Sequence, residues 1–295
     1  MNYITIDLGG TMIKYGVVNE HGAFLIQQQM PTHAAAGAQV IYERLADLIT
    51  ELQNQYCIAG IAISTAGQVN PFTKTITYAS AAIPDYINFN IGTYLEQKFQ
   101  VPVTVENDVN CALLGEMHYG ELTTTQNVML TIGTGIGGAV SVMGHVLHGH
   151  TFATGEVGYL PMSGSTFQEL ASTAALIQKT EQLLALPTGS LTGEEVFVLA
   201  RHDQRIQQLI TDFYDTLAQG IATIIFLLGP ETIVLGGAIA NRKEFIIEIQ
   251  QQLCKYVPDH LLQQIHLQRA TLGNSAGMLG ALAHFLASET VIEQN

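Results

Sequence analysis

Short apolar runs alternate with amphipathic stretches along the chain, and this alternation passes through two cycles. In the first cycle, β-branched and apolar runs predict strands, and apolar residues recurring every three or four positions predict helices. The strands are predicted at residues 3–8, 12–18, 24–30, 57–64 and 101–105, and the helices at 39–53, 91–99 and 109–118. In the predicted helix at 39–53, the apolar stripe consists of Val40, Leu45, Leu48 and Leu52.

The second cycle repeats the opening of the first: an apolar strand, a Gly/Thr turn and another apolar strand. This similarity is one of motifs, since the two halves are too different for a sequence-level repeat. Strands that alternate with helices predict an α/β protein with sites at the carboxyl ends of its strands. The predicted strands lie at 127–132, 139–143, 232–235 and 265–268, and the predicted helices at 166–186, 192–200, 205–228, 245–256 and 276–286.

Composition narrows the function classes. A chain of 295 residues suits two domains or one large α/β domain, and it has no apolar run long enough to span a bilayer. The first predicted strand follows Met1 and Asn2 directly, so we expect no targeting segment and a cytoplasmic protein. The net charge of −14 argues against a nucleic-acid or anionic-membrane surface, but not against a phosphorylated small molecule.

The cysteines and the clustered histidines point to no metal site. Cys57, Cys111 and Cys254 are far apart and lack Cys-x-x-Cys spacing, which is typical of reduced thiols in a cytosolic protein. Residues His145, His148 and His150 lie in a Gly-rich connection without a carboxylate at fixed spacing. We therefore interpret these histidines as solvated loop residues.

Polar and glycine residues follow the predicted strands at four places: 7–11, 106–108, 131–135 and 235–237. After the first strand, Asp7 could bind Mg²⁺ directly or through water, because hard cations prefer oxygen ligands. Gly9 and Gly10 allow backbone amides to approach phosphate oxygens. A plain hairpin would need neither Asp7 nor Thr11.

Taken together, these motifs resemble the ATPase domain shared by sugar kinases, Hsp70 and actin, and within it the ROK family of sugar kinases. The resemblance covers essentially the whole chain. It rests on Asp7-Leu8-Gly9-Gly10-Thr11-x-x-Lys14, Glu106-Asn107-Asp108-Val109-Asn110-Cys111-Ala112, Gly133-Thr134-Gly135-Ile136-Gly137-Gly138, Gly155-Glu156-Val157-Gly158-Tyr159 and Ile233-Val234-Leu235-Gly236-Gly237.

The resemblance implies a two-domain α/β protein with the actin-like ATPase (ribonuclease H-like) fold and an active site in the interdomain cleft. We expect a small N-terminal domain at 1–117, a larger one at 118–275 and a closing helix, at about 276–290, that packs back on the first. By analogy with these kinases, we also expect a homodimer.

The resemblance also implies roles for residues at a sugar site. Asp108 matches the carboxylate that takes the proton from the attacking hydroxyl, although an Asp there is equally suited to cap the next helix. Asn107 and Glu156 would bind sugar hydroxyls, or serve as ordinary turn residues. Gly67 would allow close approach of the sugar. Asn88, with Asn90, aligns loosely with another sugar-contacting segment or forms a plain loop.

For ATP and Mg²⁺, the resemblance implies two phosphate-binding turns. These are Gly9, Gly10 and Thr11, with Asp7 at the metal, and the segment containing Thr131, Gly133, Thr134 and Gly135. Gly236 and Gly237 would lie along the adenosine. Lys14 would contact phosphate or point into water.

The sequence departs from the family pattern on one side of the expected sugar. Tyr159 replaces a histidine, and the bridge at 160–166 contains no cysteine, so we predict no structural zinc. Alignment of Ser172 with a family serine places Gln168 where the family has glutamate, although Glu169 is adjacent. Since that histidine and glutamate face the anomeric hydroxyl, we hypothesise a β-glucoside or disaccharide substrate phosphorylated on its 6-hydroxyl.

Other functions remain as alternatives. An N-acetylmannosamine kinase or a glucokinase or fructokinase would use the same motifs. A sugar-responsive ROK transcriptional regulator is disfavoured, because the kinase-like sequence begins near Tyr3 without a preceding helix-turn-helix and the chain is acidic. A pseudokinase is disfavoured by the presence of both Asp7 and Asp108.

Overall fold

The computed structural model of the chain describes residues 1–79 and 83–293. Residues 80–82, between the predicted strand at 57–64 and the predicted helix at 91–99, lie outside the described residues. The chain divides into two compact units: unit 1 contains Met1–Thr123, His148–Ala153 and Thr271–Asn295, and unit 2 contains Thr124–Leu147 and Thr154–Ala270. Unit 1 therefore includes a short segment, His148–Ala153, that the predicted boundaries assigned to the second domain.

Unit 1 is built on a five-stranded sheet. Its strands and first helices are β1 (Asn2–Leu8), β2 (Met12–Asn19), β3 (Phe24–Pro31), α1 (Ala38–Gln55), β4 (Ile58–Thr65), β5 (Gln68–Asn70), β6 (Thr75–Tyr78), α2 (Ile91–Phe99), β7 (Val103–Asn107) and α3 (Asp108–His118). The sheet order is β3-β2-β1-β4-β7, with β5 and β6 forming a separate hairpin. β1 is antiparallel to β2 and parallel to β4, which is parallel to β7.

Unit 2 repeats this arrangement. Its elements are β8 (Asn127–Ile132), β9 (Ile136–Val142), β10 (His145–Val146), β11 (Pro161–Met162), β12 (Ser165–Thr166), α4 (Phe167–Ala171), α5 (Thr173–Leu183), α6 (Gly193–Leu199), α7 (Gln204–Leu228), β13 (Thr232–Gly236), α8 (Phe245–Leu253), α9 (Asp259–Leu262) and β14 (His266–Arg269). The sheet order is β10-β9-β8-β13-β14, again with an antiparallel hairpin at β8–β9 and parallel strands beyond it. The predicted similarity of motifs thus corresponds to a shared sheet topology.

Two predicted helices differ from the observed ones in an informative way. In α1 the buried face contains Ile41, Leu45, Leu48 and Leu52, whereas Val40 is 41% exposed and lies outside that face. The predicted helix at 166–186 is broken at Ser172, whose extended backbone begins α5 and whose hydroxyl accepts a hydrogen bond from the Ala175 amide at 3.1 Å. Serine competes well for this capping position because its oxygen satisfies an amide without an intrahelical partner.

The last helix, α10 (Ala276–Glu293), packs against α3, β1 and β4 of unit 1. Small residues make this crossing close. A Cβ atom built on Gly280 would overlap the carbonyl group of Cys111, and one built on Gly115 would lie 2.7 Å from the Ala276 carbonyl oxygen. The α3–α10 contact therefore fixes the helix that follows β7, where the candidate catalytic residues lie.

None of the helices in the described part of the chain is long and apolar enough to cross a membrane.

We predict that Gly280→Ala lowers the free energy of unfolding by about 3 kcal/mol, because the added methyl group meets backbone atoms that cannot rotate away. Gly10→Ala is a matched control, because a Cβ there meets nothing within 4 Å. It should change stability by less than about 0.5 kcal/mol. Urea denaturation followed by circular dichroism measures both, and equal stability of the two variants would contradict the packing described.

Candidate functional site

In unit 1, polar side chains meet at the carboxyl ends of β1, β4 and β7. The strand register sets Asp7 beside Ser64 and Thr65 beside Asn107. Asp7 accepts a hydrogen bond from the Ser64 hydroxyl at 2.9 Å and pairs with the Lys14 ammonium at 3.2 Å. Lys14 thus does not simply point into water, since its register opposite Asp7 in the β1–β2 hairpin makes this ion pair. Ser64 is not among the site residues predicted from the sequence.

Thr32 stabilises the turn between β1 and β2 by hydrogen bonds to its backbone. It is a fully buried residue that was not predicted from the sequence as part of the site. Its hydroxyl donates to the Gly9 carbonyl at 2.6 Å, and its amide donates to the Thr11 carbonyl at 2.9 Å. Gly10 and Thr11 remain exposed at the tip. The arrangement presents a rigid backbone turn to solvent, as an anion-binding turn requires.

Asn107 fixes the start of α3. Its side-chain oxygen accepts hydrogen bonds from the amides of Val109 at 2.9 Å and Asn110 at 3.0 Å, which makes it the N-cap residue. Its side-chain nitrogen donates to the Gly67 carbonyl at 2.9 Å and to the Asp108 carboxylate at 3.0 Å. An amide side chain has two donors and two acceptor sites, so these bonds use all of them. A sugar hydroxyl bound by Asn107 would have to replace one of these bonds, and the role of Asn107 in binding sugar stays a prediction.

Asp108 is therefore the first residue of α3, and Asn107 occupies the N-cap position that was the structural alternative for Asp108. One carboxylate oxygen accepts hydrogen bonds from the Val109 amide at 2.9 Å and from Asn107. The amino-terminal end of a helix stabilises negative charge. The position favours the ionised carboxylate that a general base needs.

The prediction for the clustered histidines was wrong at one position. His145 and His150 are exposed, but the His148 side chain is only 22% exposed and its Nε2 lies 2.6 Å from the Glu106 carboxylate. Glu106 is the residue before Asn107, and its side chain is fully buried. Sequence alone could not reveal this pair, because its members are far apart in the chain and no fixed spacing relates them.

Asn88 is exposed in a left-handed backbone conformation, and its amide donates to the Ile76 carbonyl at 2.8 Å. Among the described hydrogen bonds, none connects it to Gly67, Asn107 or Asp108. Its role in binding sugar stays a prediction.

In unit 2, the second glycine turn and the late glycine pair lie on adjacent strands. Gly236 of β13 is paired with Thr131 of β8, and a Cβ on Gly237 would overlap the Ile132 carbonyl group. The turn itself is closed by a hydrogen bond from the Gly133 amide to the Gly135 carbonyl at 3.0 Å, with Thr134 exposed. The fold thus brings together the residues predicted to contact phosphate and adenosine.

The same turn adjoins the segment predicted to face the sugar. Gly155 and Gly158 pack directly on the β9 backbone, where a Cβ on either would overlap a carbonyl oxygen. This places Glu156 between them, half-buried, and burial raises the pKa of its carboxyl. The spacing of the two glycines therefore has a packing reason and also orients the segment containing Glu156 and Tyr159.

Gln168, and not Glu169, lies on this side of α4. Its side-chain oxygen would be 2.8 Å from a Cβ on Gly135 and 2.9 Å from one on Gly158. Glu169 is exposed and forms a capping box with Thr166, and its carboxylate accepts the Ser165 hydroxyl at 2.6 Å. Tyr159 is 49% exposed. The uncharged pair Tyr159 and Gln168 thus belongs to the same part of unit 2 as Glu156.

The bridge between Tyr159 and α4 is the short hairpin β11–β12. Within residues 1–79 and 83–293, no group of three or more His, Cys, Asp or Glu side chains is arranged to hold a metal ion. The lack of a structural zinc stays a prediction.

The chain is similar to known proteins in both sequence and fold. The family model described as ROK family matches residues 3–288. A β-glucoside kinase from Listeria innocua is 36% identical, with 98% of this chain and 99% of that protein covered. A Listeria monocytogenes protein proposed to be an N-acetylmannosamine kinase superposes with a TM-score of 0.88 at 34% identity, covering 98% of this chain and 100% of that one.

A ROK family protein from Streptococcus pneumoniae, solved in complex with sucrose, superposes with a TM-score of 0.85 at 28% identity, covering 98% of this chain and 99% of that one. The fold and these relatives place the chain among the carbohydrate kinases with the actin-like ATPase fold. The chain belongs to the ROK family.

We predict that Asn107→Ala lowers the free energy of unfolding by about 1 to 2 kcal/mol, because α3 loses its N-cap. Asn19→Ala is the matched control: its side chain also accepts from two backbone amides, those of His21 and Ala23, but in an exposed turn. The control should cost clearly less in the same urea titration. A cost for Asn107→Ala no larger than that of the control would contradict the capping role.

Proposed function

We propose that this chain transfers the γ-phosphoryl group of ATP to the 6-hydroxyl of a glucose-type sugar, with a β-glucoside as the preferred acceptor. The observation that carries the proposal is the arrangement of Asn107 and Asp108. Asn107 takes over the helix-capping role and spends its hydrogen bonds on protein groups, so Asp108 is held at the start of α3 in a fixed orientation.

In the proposed reaction, the Asp108 carboxylate accepts the proton of the sugar hydroxyl as its oxygen attacks the γ-phosphorus, and ADP leaves. Phosphoryl transfer depends mainly on positioning and on neutralising charge. The glycine turn at 10–11 in unit 1 and the one at 133–135 in unit 2 would each offer backbone groups to phosphate. Asn107 acts here by orienting Asp108, while Glu156 would accept hydrogen bonds from sugar hydroxyls.

The residues at the end of β1 fit a nucleotide-bound Mg²⁺. Mg²⁺ bound with a nucleotide needs only one or two protein carboxylates, because phosphate oxygens and waters complete its shell. Asp7 is such a carboxylate, oriented by Ser64 and Lys14 beside the turn at Gly9. When bound, the ion would neutralise the charge that develops on the phosphate oxygens.

The substrate preference is inferred from Tyr159 and Gln168. A site with charged groups for a free anomeric hydroxyl would reject a substituted one, because its polar groups would lose their partners. In this chain the two positions are uncharged, and Tyr159 offers an aromatic face. The β-glucoside kinase from Listeria innocua and the sucrose complex of the Streptococcus pneumoniae protein support a glycoside acceptor. N-acetylmannosamine is the second candidate, because the Listeria monocytogenes structure is proposed to be a kinase for it.

We predict that Asp108→Asn reduces kcat by about 100-fold or more while sugar affinity stays within about threefold, because the amide keeps the shape but accepts no proton. A coupled ADP-release assay and calorimetric titration of the sugar measure the two quantities. Asp47→Asn, at an exposed position of α1, is the control and should behave like the unaltered protein. Normal turnover by Asp108→Asn would contradict the mechanism.

We predict higher kcat/KM for cellobiose than for glucose, N-acetylmannosamine or fructose. The double variant Tyr159→His, Gln168→Glu should shift the preference towards free glucose by about tenfold, because it restores partners for the anomeric hydroxyl. Gln178→Glu adds the same charge at an exposed position of α5 and should leave the ratio unchanged. A clear preference of the unaltered protein for glucose would rule out the glycoside hypothesis.

A further inference from the structure

Glu106 is a buried charge directly beside the candidate catalytic residues. Its side chain has no exposed surface. One carboxylate oxygen accepts hydrogen bonds from the backbone amide of Asn107 at 2.7 Å and from the side-chain amide of Asn110 at 3.0 Å. The other lies 2.6 Å from His148 Nε2 and 3.9 Å from His284 Nδ1. A buried carboxylate that loses its partner is strongly destabilising, so the histidine is needed where it is.

His148 comes from a separate segment of the chain. It begins the stretch His148–Ala153, which belongs to unit 1 although the residues on both sides of it belong to unit 2. The His148 ring also lies against Phe72, with ring centroids 6.4 Å apart, and Phe72 contacts Phe152 of the same stretch. The stretch is thus joined to α3 through the Glu106 carboxylate.

The charges around this pair show which histidine is the cation. The hydrogen bond to Glu106 raises the pKa of His148 above its usual 6.5, more than burial lowers it. On α10, burial lowers the pKa of His284, so that ring is neutral. On α3, burial raises the pKa of the Cys111 thiol, which also stays neutral. Burial raises the pKa of Glu106, but the hydrogen bond from His148 and the nearby His284 reverse this, and the net shift is downward.

The pair therefore has a defined pH window. The contribution of Glu106 is present above the usual carboxyl pKa and is lost as the pH falls through its lowered pKa in the folded protein. The contribution of His148 is present below the usual imidazole pKa and is lost as the pH rises through its raised pKa. The charge pair between His148 and Glu106 is therefore weakened as the pH rises through the raised pKa of His148, which lies above 6.5.

We propose that His148 is a positioning residue for phosphoryl transfer. Through Glu106 it holds the backbone amide of Asn107, and with it the Asp108 carboxylate, in the orientation that the reaction needs. The inference rests on the proposed function for its catalytic consequence. The link between His148 and the first turn of α3 is independent of turnover.

The kinetic test uses three variants of the full chain. His148→Ala removes the partner of Glu106 and should lower kcat by about tenfold or more, since small misplacements of reacting groups are costly, with KM for ATP within about twofold. His148→Gln keeps a hydrogen-bond donor of similar reach but carries no charge, so it should recover kcat to the level that the unaltered protein shows at pH values where His148 is neutral. His150→Ala, an exposed residue of the same stretch, is the control and should leave kcat unchanged.

The pH profile separates positioning from simple loss of structure. In the unaltered protein, kcat should decline as the pH rises through the raised pKa of His148, whereas His148→Gln should lack that decline. Identical profiles, or a loss in His148→Ala that His148→Gln does not restore, would overturn the proposal.

Amide hydrogen exchange tests the link without relying on activity. The backbone amides of Val109 and Asn110 should exchange faster in His148→Ala than in the unaltered protein. In His150→Ala their exchange rates should be unchanged. Unchanged exchange in His148→Ala would overturn the link. A chain that phosphorylates no sugar, but whose α3 loosens in this way, would contradict the proposed function while supporting the link.

Discussion

The N-cap of α3 is the interaction on which the candidate site depends. Asn107 ends a parallel strand and begins a helix, and its side chain bonds the first turn of that helix, the Gly67 carbonyl and the Asp108 carboxylate. Because Asn107 satisfies the helix amides, Asp108 can lie one residue further on, where the helix favours its negative charge. Buried Glu106 holds the same junction from the other side through the Asn107 amide.

Both units use the same strand topology to present their turns. In each, a hairpin with a glycine turn lies next to a parallel strand, so residues at the strand ends become neighbours. This explains how Asp7 meets Ser64 in unit 1 and how Gly236 meets Thr131 in unit 2. Sequence patterns predicted most of these strands, because each is a compact apolar run bounded by glycine or polar residues. They also predicted the family, since several motifs occur in the required order.

The parts that sequence could not predict depend on contacts between distant residues. Val40 fits a helical period as well as Ile41 does, and only packing of the sheet on α1 selects Ile41. The break at Ser172 is a local choice between continuing a helix and capping a new one. Alignment places Gln168 at the family glutamate with Glu169 adjacent, and the capping box with Thr166 is what turns Glu169 to the surface. His148 lacks any motif, and its role is visible only beside Glu106.

The proposed activity of this chain is phosphorylation of the 6-hydroxyl of a glucose-type sugar. The most direct test is phosphorus NMR of the products formed from ATP and Mg²⁺ with cellobiose and, in a second sample, with glucose. We predict ADP together with a new phosphomonoester signal coupled to the protons on carbon 6 of the sugar. Release of inorganic phosphate with unmodified cellobiose and unmodified glucose, or a phosphate on another sugar oxygen, would contradict it.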